Sequence, residues 1–123
     1  MTESDLKQAV AYASKPFLES VSETLGHGLS AGERVELCGE LEQFMAATTI
    51  LVREIPAKGR NGHEVVREAL GLTAPALAET ILEKAGDAPD GAWEALIRHI
   101  TVFFTLAALC LSMAGQGERN EEE

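Results

Sequence analysis

The chain of 123 residues is long enough for one domain, and its 46% hydrophobic residues are enough for a buried core, which excludes a disordered acidic segment. Twenty acidic residues against ten Lys and Arg give a formal net charge of −10. This charge argues against binding bulk nucleic acid or anionic lipid, because both depend on Lys and Arg. The residues that follow Met1 are acidic rather than basic, and no apolar leader follows them, so we expect a cytoplasmic protein.

The first half of the chain predicts two helices, because its apolar residues recur at steps of three and four. The first helix covers residues 3–25 and contains Pro16, which should kink or split it near Lys15. The second starts at a capping-box pattern, Ser30 followed by Glu33, and ends at Pro56. Its apolar positions alternate in steps of four and three, as in a coiled-coil seam.

The second half predicts two shorter helices and one long helix. A short helix at residues 63–70 should end at Gly71, and the next should run from a Thr73 cap to Ala85. The last runs from residue 91 to residue 114. We therefore predict one all-α domain over residues 1–115, a compact bundle of four to five helices with the long apolar C-terminal helix at its centre. Residues 116–123 should form a disordered acidic tail.

The last predicted helix is apolar almost all round. Residues 100–114 contain no charge and would span about 22 Å, less than the roughly 30 Å of a bilayer core. A central core helix is therefore the preferred interpretation, and a membrane anchor through residues 97–114 is an alternative. A stripe of small residues would let another helix approach closely, either in the core or in an oligomer; it consists of Thr101, Thr105, Ala108 and Ser112. Because such a helix needs neighbours on most sides, we expect a homodimer.

One face of the second predicted helix is acidic. Glu33, Glu36 and Glu40 share this face, which we call the acidic face. A solvated outer surface would account for it, but it would also suit docking against a basic surface of a protein partner. We predict the acidic face as the partner-binding surface.

The loop after Pro56 is the positive region of the sequence. Lys58, Arg60 and Asn61 lie among glycines just before a predicted helix, so backbone amides could turn toward an anion. The loop lacks the Gly-Lys-Ser/Thr ending of a nucleotide-binding P-loop. It is therefore a candidate anion-binding loop, with a solvated loop as the alternative.

The segment from Val66 to Leu77 resembles the turn of helix-turn-helix DNA-binding proteins. The resemblance rests on Leu-Gly-Leu-Thr at residues 70–73, followed by an apolar residue four places later. It departs from the pattern at Arg67, where a small residue is usual. The implied recognition helix carries Glu79 and Glu83 and has no Arg, Lys, Gln or Asn to read bases before its end. Nucleic acid is therefore an unlikely partner.

The sequence contains no pattern for catalysis or metal binding. The three histidines, His27, His63 and His99, are scattered, and none lies three or four residues from another His or Cys. Cys38 and Cys110 lie in apolar helical patterns, where buried free thiols are expected. We therefore expect no cofactor, no metal and no enzymatic activity.

These observations predict a non-enzymatic helical interaction module, a small regulator or inhibitor that binds a protein partner. Two alternatives are kept. One is a DNA-binding regulator with a degenerate helix-turn-helix, and the other is a small membrane-anchored protein.

Overall fold

The computed structural model describes the backbone of residues 3–26, 28–56, 58–86 and 88–122, and the side chains within these ranges from residue 4 to residue 113. Over these residues the chain forms four helices and no strand. They are α1 (Glu3–Leu25), α2 (Ala31–Glu54), α3 (Gly62–Ala85) and α4 (Ala92–Glu122). The prediction of a compact all-α bundle is confirmed, with four helices.

The helices follow one another around the bundle. Each packs against its neighbours in sequence, and α4 packs back against α1 in the most extensive interface of the bundle. Near the end of α1, Thr24 Oγ1 lies 3.0 Å from Nε2 of His99, in the first part of α4. Lys84, at the end of α3, pairs with Glu36 near the start of α2. Neighbouring helices are therefore antiparallel, as expected when short loops join the helices of an up-down-up-down bundle.

The core is built around an aromatic cluster. The ring centroid of Phe103 lies 5.4 Å from that of Phe17 and 6.2 Å from that of Phe44. The ring centroids of Phe44 and Phe104 are 6.3 Å apart. These phenylalanines join α1, α2 and α4 and are buried. Tilted aromatic pairs of this kind add about 0.5–1.5 kcal/mol each beyond the area that they bury. The cluster therefore fixes how α4 sits against the first two helices.

One polar contact crosses the core between α2 and α3. Thr48 is fully buried, and its hydroxyl donates to Oγ1 of Thr73 over 2.9 Å. The Thr73 hydroxyl donates in turn to the carbonyl of Ala69. Each buried hydroxyl therefore has a partner, and the pair sets the register of α2 against α3 without an unsatisfied polar group.

The start of α2 matches its prediction. The Ser30 hydroxyl accepts from the Glu33 amide over 3.2 Å, and the Glu33 carboxylate accepts from the Ser30 amide over 3.0 Å. This is the reciprocal capping box that the sequence indicates. In α1 the helix continues through Pro16, so the split near Lys15 does not occur.

The predicted break at Gly71 is wrong, because α3 is one continuous helix. Its buried residues continue on one face across the expected break; they are Val65, Ala69, Leu70, Ala74, Leu77, Ala78 and Ile81. Burying this face outweighs the cost of about 1 kcal/mol for glycine, and of about 3 kcal/mol for proline, inside a helix. The separate helices at residues 63–70 and 73–85, and the turn between them, are absent from the described part of α3.

The predictions for α4 need two corrections. The sequence predicts an end at residue 114, but the helix continues to Glu122, since glycine weakens a helix without forbidding it. The sequence also places α4 at the centre, whereas it occupies one corner of the bundle between α1 and α3 and leaves one side exposed. The side chains of residues 114–123 lie outside those described, and the single domain over residues 1–115 and the disordered tail stay predictions.

Candidate interaction surface

The exposed side of α4 is an uncharged and partly apolar surface. Val102, Leu109 and Met113 are 56%, 56% and 63% exposed. Between Arg98 and Glu118 the sequence contains no Asp, Glu, Lys or Arg. We call this surface the outer face of α4; it consists of Thr101, Val102, Thr105, Leu109, Ser112 and Met113, all of them exposed. In a chain with 24% charged residues, such a surface is the kind that marks an interaction site.

Exposed residues on this face follow a regular step. Residues 98, 102, 105, 109 and 112 are separated by four, three, four and three positions, and all are exposed. This spacing places the five residues along one side of the helix, and Val102 and Leu109, seven positions apart, are the apolar members of the row. Sequence reasoning missed Val102 and Leu109, although their spacing from Arg98 is visible in the sequence. In a helix that is apolar on every side, the sequence does not show which apolar residues face outward.

The predicted stripe of small residues lies at the surface. Thr101, Thr105 and Ser112 are exposed and Ala108 is half-buried. The Thr101 hydroxyl donates to the carbonyl of Ile97, and the Thr105 hydroxyl donates to the carbonyl of Thr101, each over 2.9 Å. Because both hydroxyls bond within their own helix, the stripe is only weakly polar toward a partner. Its position argues against a role inside the core.

A groove borders the outer face on the side of α3. One part has a volume of about 410 Å³ and is lined by apolar residues of α3 and α4, including Val66, Leu70, Pro75 and Ile97. A wider part of about 940 Å³ lies where the end of α2 meets α4, lined by Val52, Ile55, Phe104 and Ala108 among others. His63, Val66 and Thr105 line both parts. We call the two together the α3–α4 groove.

The predicted anion-binding loop lies beside the α3–α4 groove, and two of its three residues have structural partners. Arg60 donates to the carbonyl of Pro56 over 2.7 Å and pairs with Glu68 at 3.3 Å. The Asn61 side chain accepts from the amide of Glu64 and caps α3. Lys58 has a φ of +48°, a left-handed conformation uncommon for a residue other than glycine. The loop therefore fastens the start of α3, and its anion binding stays a prediction.

The acidic face also has structural partners. Glu33 belongs to the capping box, and Lys84 of α3 lies 3.4 Å from Glu36 and 3.7 Å from Glu40. The ion pairs are largely exposed, so each contributes at most about 1 kcal/mol. These contacts connect α2 to α3 and neutralise part of the acidic face. Docking of a basic partner there stays a prediction.

The described residues contain no group of three or more His, Cys, Asp or Glu placed to hold a metal ion. Cys38 and Cys110 are free and half-buried, and His99 is hydrogen-bonded to Thr24. A cavity of about 240 Å³ lies among the first three helices, and its lining includes Leu25, Leu37 and Ile81.

By length and composition alone, one described helix could cross a membrane. The segment Ala92–Met113 has a mean hydropathy of 1.8, and 28% of an 18-residue stretch within it is buried in the bundle. The core helix of a soluble protein can have the same length and hydropathy.

Comparison of the chain with models of protein families, with curated proteins and with solved structures finds no match.

Proposed function

We propose that this protein is a non-enzymatic helical interaction module, a small regulator or inhibitor that binds protein partners and pairs with a second copy of itself through the outer face of α4. The observation that carries the proposal is the exposed four-three repeat at residues 98–112, on a helix whose opposite side forms the core. A helix with two apolar sides can pack against its own bundle and against a partner at the same time.

Burial of apolar surface would stabilise this pairing. Val102, Leu109 and Met113 expose more than half of their surface, and each Å² removed from water contributes about 25 cal/mol. Small residues between them, Thr105 and Ser112, would allow the two helices to approach closely. The outer face of α4, from Thr101 to Met113, contains no charged residue, so its burial removes no charge from water.

Charge favours an antiparallel arrangement. Arg98 lies at one end of the repeat, and the six residues from Glu118 onward contain four Glu and one Arg. Antiparallel helices would bring Arg98 of each copy toward the acidic end of the other, whereas parallel helices would bring like charges together. Both arrangements are compatible with the two-fold symmetry of most homodimers, so charge is what distinguishes them.

The test is the molar mass in solution, measured by light scattering without detergent over a range of concentrations. We expect a value approaching twice the chain mass of 13.2 kDa at high concentration. Val102→Glu and Leu109→Glu should each weaken the pairing at least tenfold, because each places a charge inside the interface. Val35→Glu is the matched control, since Val35 is 73% exposed on α2 and lies outside the outer face of α4.

A wild-type mass that stays at 13.2 kDa at every concentration would contradict self-association. An equal loss of pairing in Val35→Glu would contradict the assignment to α4. Circular dichroism of each variant should show unchanged helix content, because all three positions are exposed.

The acidic face supports a further part of the proposal, the docking of a basic partner surface. Glu36 and Glu40 have side-chain exposures of 67% and 36%, which leaves their carboxylates accessible beside Lys84. Changing Glu33, Glu36 and Glu40 together to Gln should weaken binding of a basic partner and reduce its salt dependence. Unchanged affinity and unchanged salt dependence would reject the acidic face.

Attachment to a membrane through α4 is a second candidate, favoured by the length and hydropathy of Ala92–Met113. Insertion of the helix would remove Phe103 from its contacts with Phe17 and Phe44, so the bundle opposes it. Flotation with lipid vesicles tests it. Co-flotation that Leu109→Glu abolishes would support membrane attachment, and protein that stays at the bottom of the gradient would reject it.

A further inference from the structure

We infer that the α3–α4 groove is a docking site for an acidic amphipathic helix of a partner protein. The inference rests on the proposed function, since it names the class of partner for the interaction module. It concerns a different surface from the one proposed for self-association, although the two meet along α4 at Thr101 and Thr105.

The form of the α3–α4 groove fits a helix. Its walls are two antiparallel helices, and its lining on α3 extends from His63 to Pro75, about 18 Å or more than three helical turns. The lining is apolar along this length through Val66, Leu70 and Ile97. Amphipathic helices bind in such grooves through apolar residues at successive turns.

The charge of the groove selects the partner. The residues that line the groove include Arg53, Arg60 and Arg67 against Glu54, in a chain whose net charge is −10, and Arg60 pairs with Glu68. Arg53 and Arg67 both line the groove and are exposed, and Glu54 is the acidic residue among the lining residues. An acidic helix would be repelled by most of this molecule and attracted to the groove, which gives both specificity and orientation.

An anionic membrane fits this surface less well. A bilayer is a broad negative surface and would also face the acidic remainder of the molecule. A single helix about 10 Å wide can contact the groove alone. The geometry therefore favours a protein helix over a lipid surface.

The experiment uses the full chain and two fluorescein-labelled peptides of 18 residues. Both have Leu at steps of three and four, with Glu at the remaining positions in one peptide and Lys in the other. The measurement is made on the Glu33→Gln/Glu36→Gln/Glu40→Gln variant, so that the acidic face cannot capture the Lys peptide. Fluorescence anisotropy should show micromolar binding of the Glu peptide, weakening as salt is raised, and at least tenfold weaker binding of the Lys peptide. Equal affinity for both peptides, or no binding of the Glu peptide, would overturn the inference.

Charge variants locate the site. The double variant Arg53→Gln/Arg67→Gln should weaken binding of the Glu peptide about tenfold at low salt. Lys7→Gln/Lys15→Gln is the matched control, because it removes the same charge from exposed positions on α1 and should leave the affinity unchanged. An equal effect of both double variants would mean that net charge, not the groove, controls binding, and would overturn the inference.

Two further measurements separate this inference from its alternatives. Vesicles of phosphatidylserine that bind the chain and displace the Glu peptide would identify a lipid surface as the occupant and overturn the peptide assignment. Light scattering of the same samples distinguishes the two proposals. If the chain is a dimer and does not bind the Glu peptide, only the docking of a helix in the groove is rejected. If the chain is a monomer and binds the Glu peptide, only the pairing through α4 is rejected.

Discussion

The two sides of α4 have similar composition and opposite surroundings. The inner side consists of Leu96, Ile100, Phe103 and Ala107, each at most 1% exposed, whereas Val102 and Leu109 on the outer side are each 56% exposed. Both sides are apolar, so hydrophobicity alone does not decide which side is buried. The inner side is distinguished by what it meets, above all the phenylalanines of α1 and α2. Packing partners, rather than composition, assign the two sides.

The largest expected difference in stability is between truncation of a residue on the inner side of α4 and truncation of a residue on its outer side. Phe103→Ala should lower the free energy of unfolding by about 3–5 kcal/mol, because it removes a buried ring and leaves a cavity. Leu109→Ala should change it by less than about 0.5 kcal/mol. Urea denaturation in the Val102→Glu background excludes any contribution from pairing. Similar losses for both variants would show that the outer side is also packed within the bundle.

A smaller effect should distinguish a fully buried hydroxyl that joins two helices from a half-buried hydroxyl that bonds within its own helix. Thr48→Val keeps the shape of a fully buried side chain but removes its hydrogen bond to Thr73, which should cost about 1 kcal/mol. Thr80→Val is the control, since the Thr80 hydroxyl donates only to the carbonyl of Ala76 in its own helix and should cost less than about 0.5 kcal/mol. Equal urea midpoints of the two variants would argue against a special role for the contact between α2 and α3.

Two glycine substitutions, which should change the stability in opposite directions, test the continuity of α3. A Cβ on Gly71 would meet no atom within 4 Å, so Gly71→Ala should stabilise the protein by about 0.5–1 kcal/mol. Gly59→Ala should destabilise it, because Gly59 has a φ of +82°. Thermal denaturation gives both signs. A loss of stability in Gly71→Ala would support a turn at that position in place of the continuous helix.

The smallest expected effect concerns the charged surface. Glu36→Gln/Glu40→Gln removes both ion pairs to Lys84 and should lower the free energy of unfolding by no more than about 1 kcal/mol at low salt. The difference from the wild type should vanish at about 1 M salt, where charges more than about 3 Å apart are screened. A difference that persists at high salt would indicate packing by the carbon chains of these residues rather than charge.

The sequence predicts α1 and α2 well because their ends depend on short-range chemistry. Ser30 and Glu33 carry the whole capping-box signal within four residues, and the structure confirms it. The fold class follows from apolar spacing along the chain. The continuity of α3 at Gly71 could not be predicted in this way. Glycine and proline favour a break there, but burial of α3 against α2 and α4 opposes it, and a local sequence pattern does not show that burial.

The candidate interaction surface could be predicted only in part. The sequence indicates Thr101 and Thr105 as a place of close approach, and the structure places them at the surface. It does not distinguish Val102 and Leu109 from the core residues around them, because the sequence of a uniformly apolar helix does not show which side faces solvent. Which side of α4 is buried is set by Phe17 and Phe44, which lie far from α4 in the sequence and adjacent to it in the fold.

The most extensive interface of the bundle joins its first and last helices. This arrangement has a consequence for the order of folding. The contacts of α2 with α1 and α3 form between neighbours in the chain, whereas Phe17 must wait for Phe103, more than eighty residues later. Closure of so long a loop follows the local pairings, because it costs more chain entropy. During synthesis, α1 therefore leaves the ribosome with one apolar side uncovered and keeps it exposed until α4 emerges.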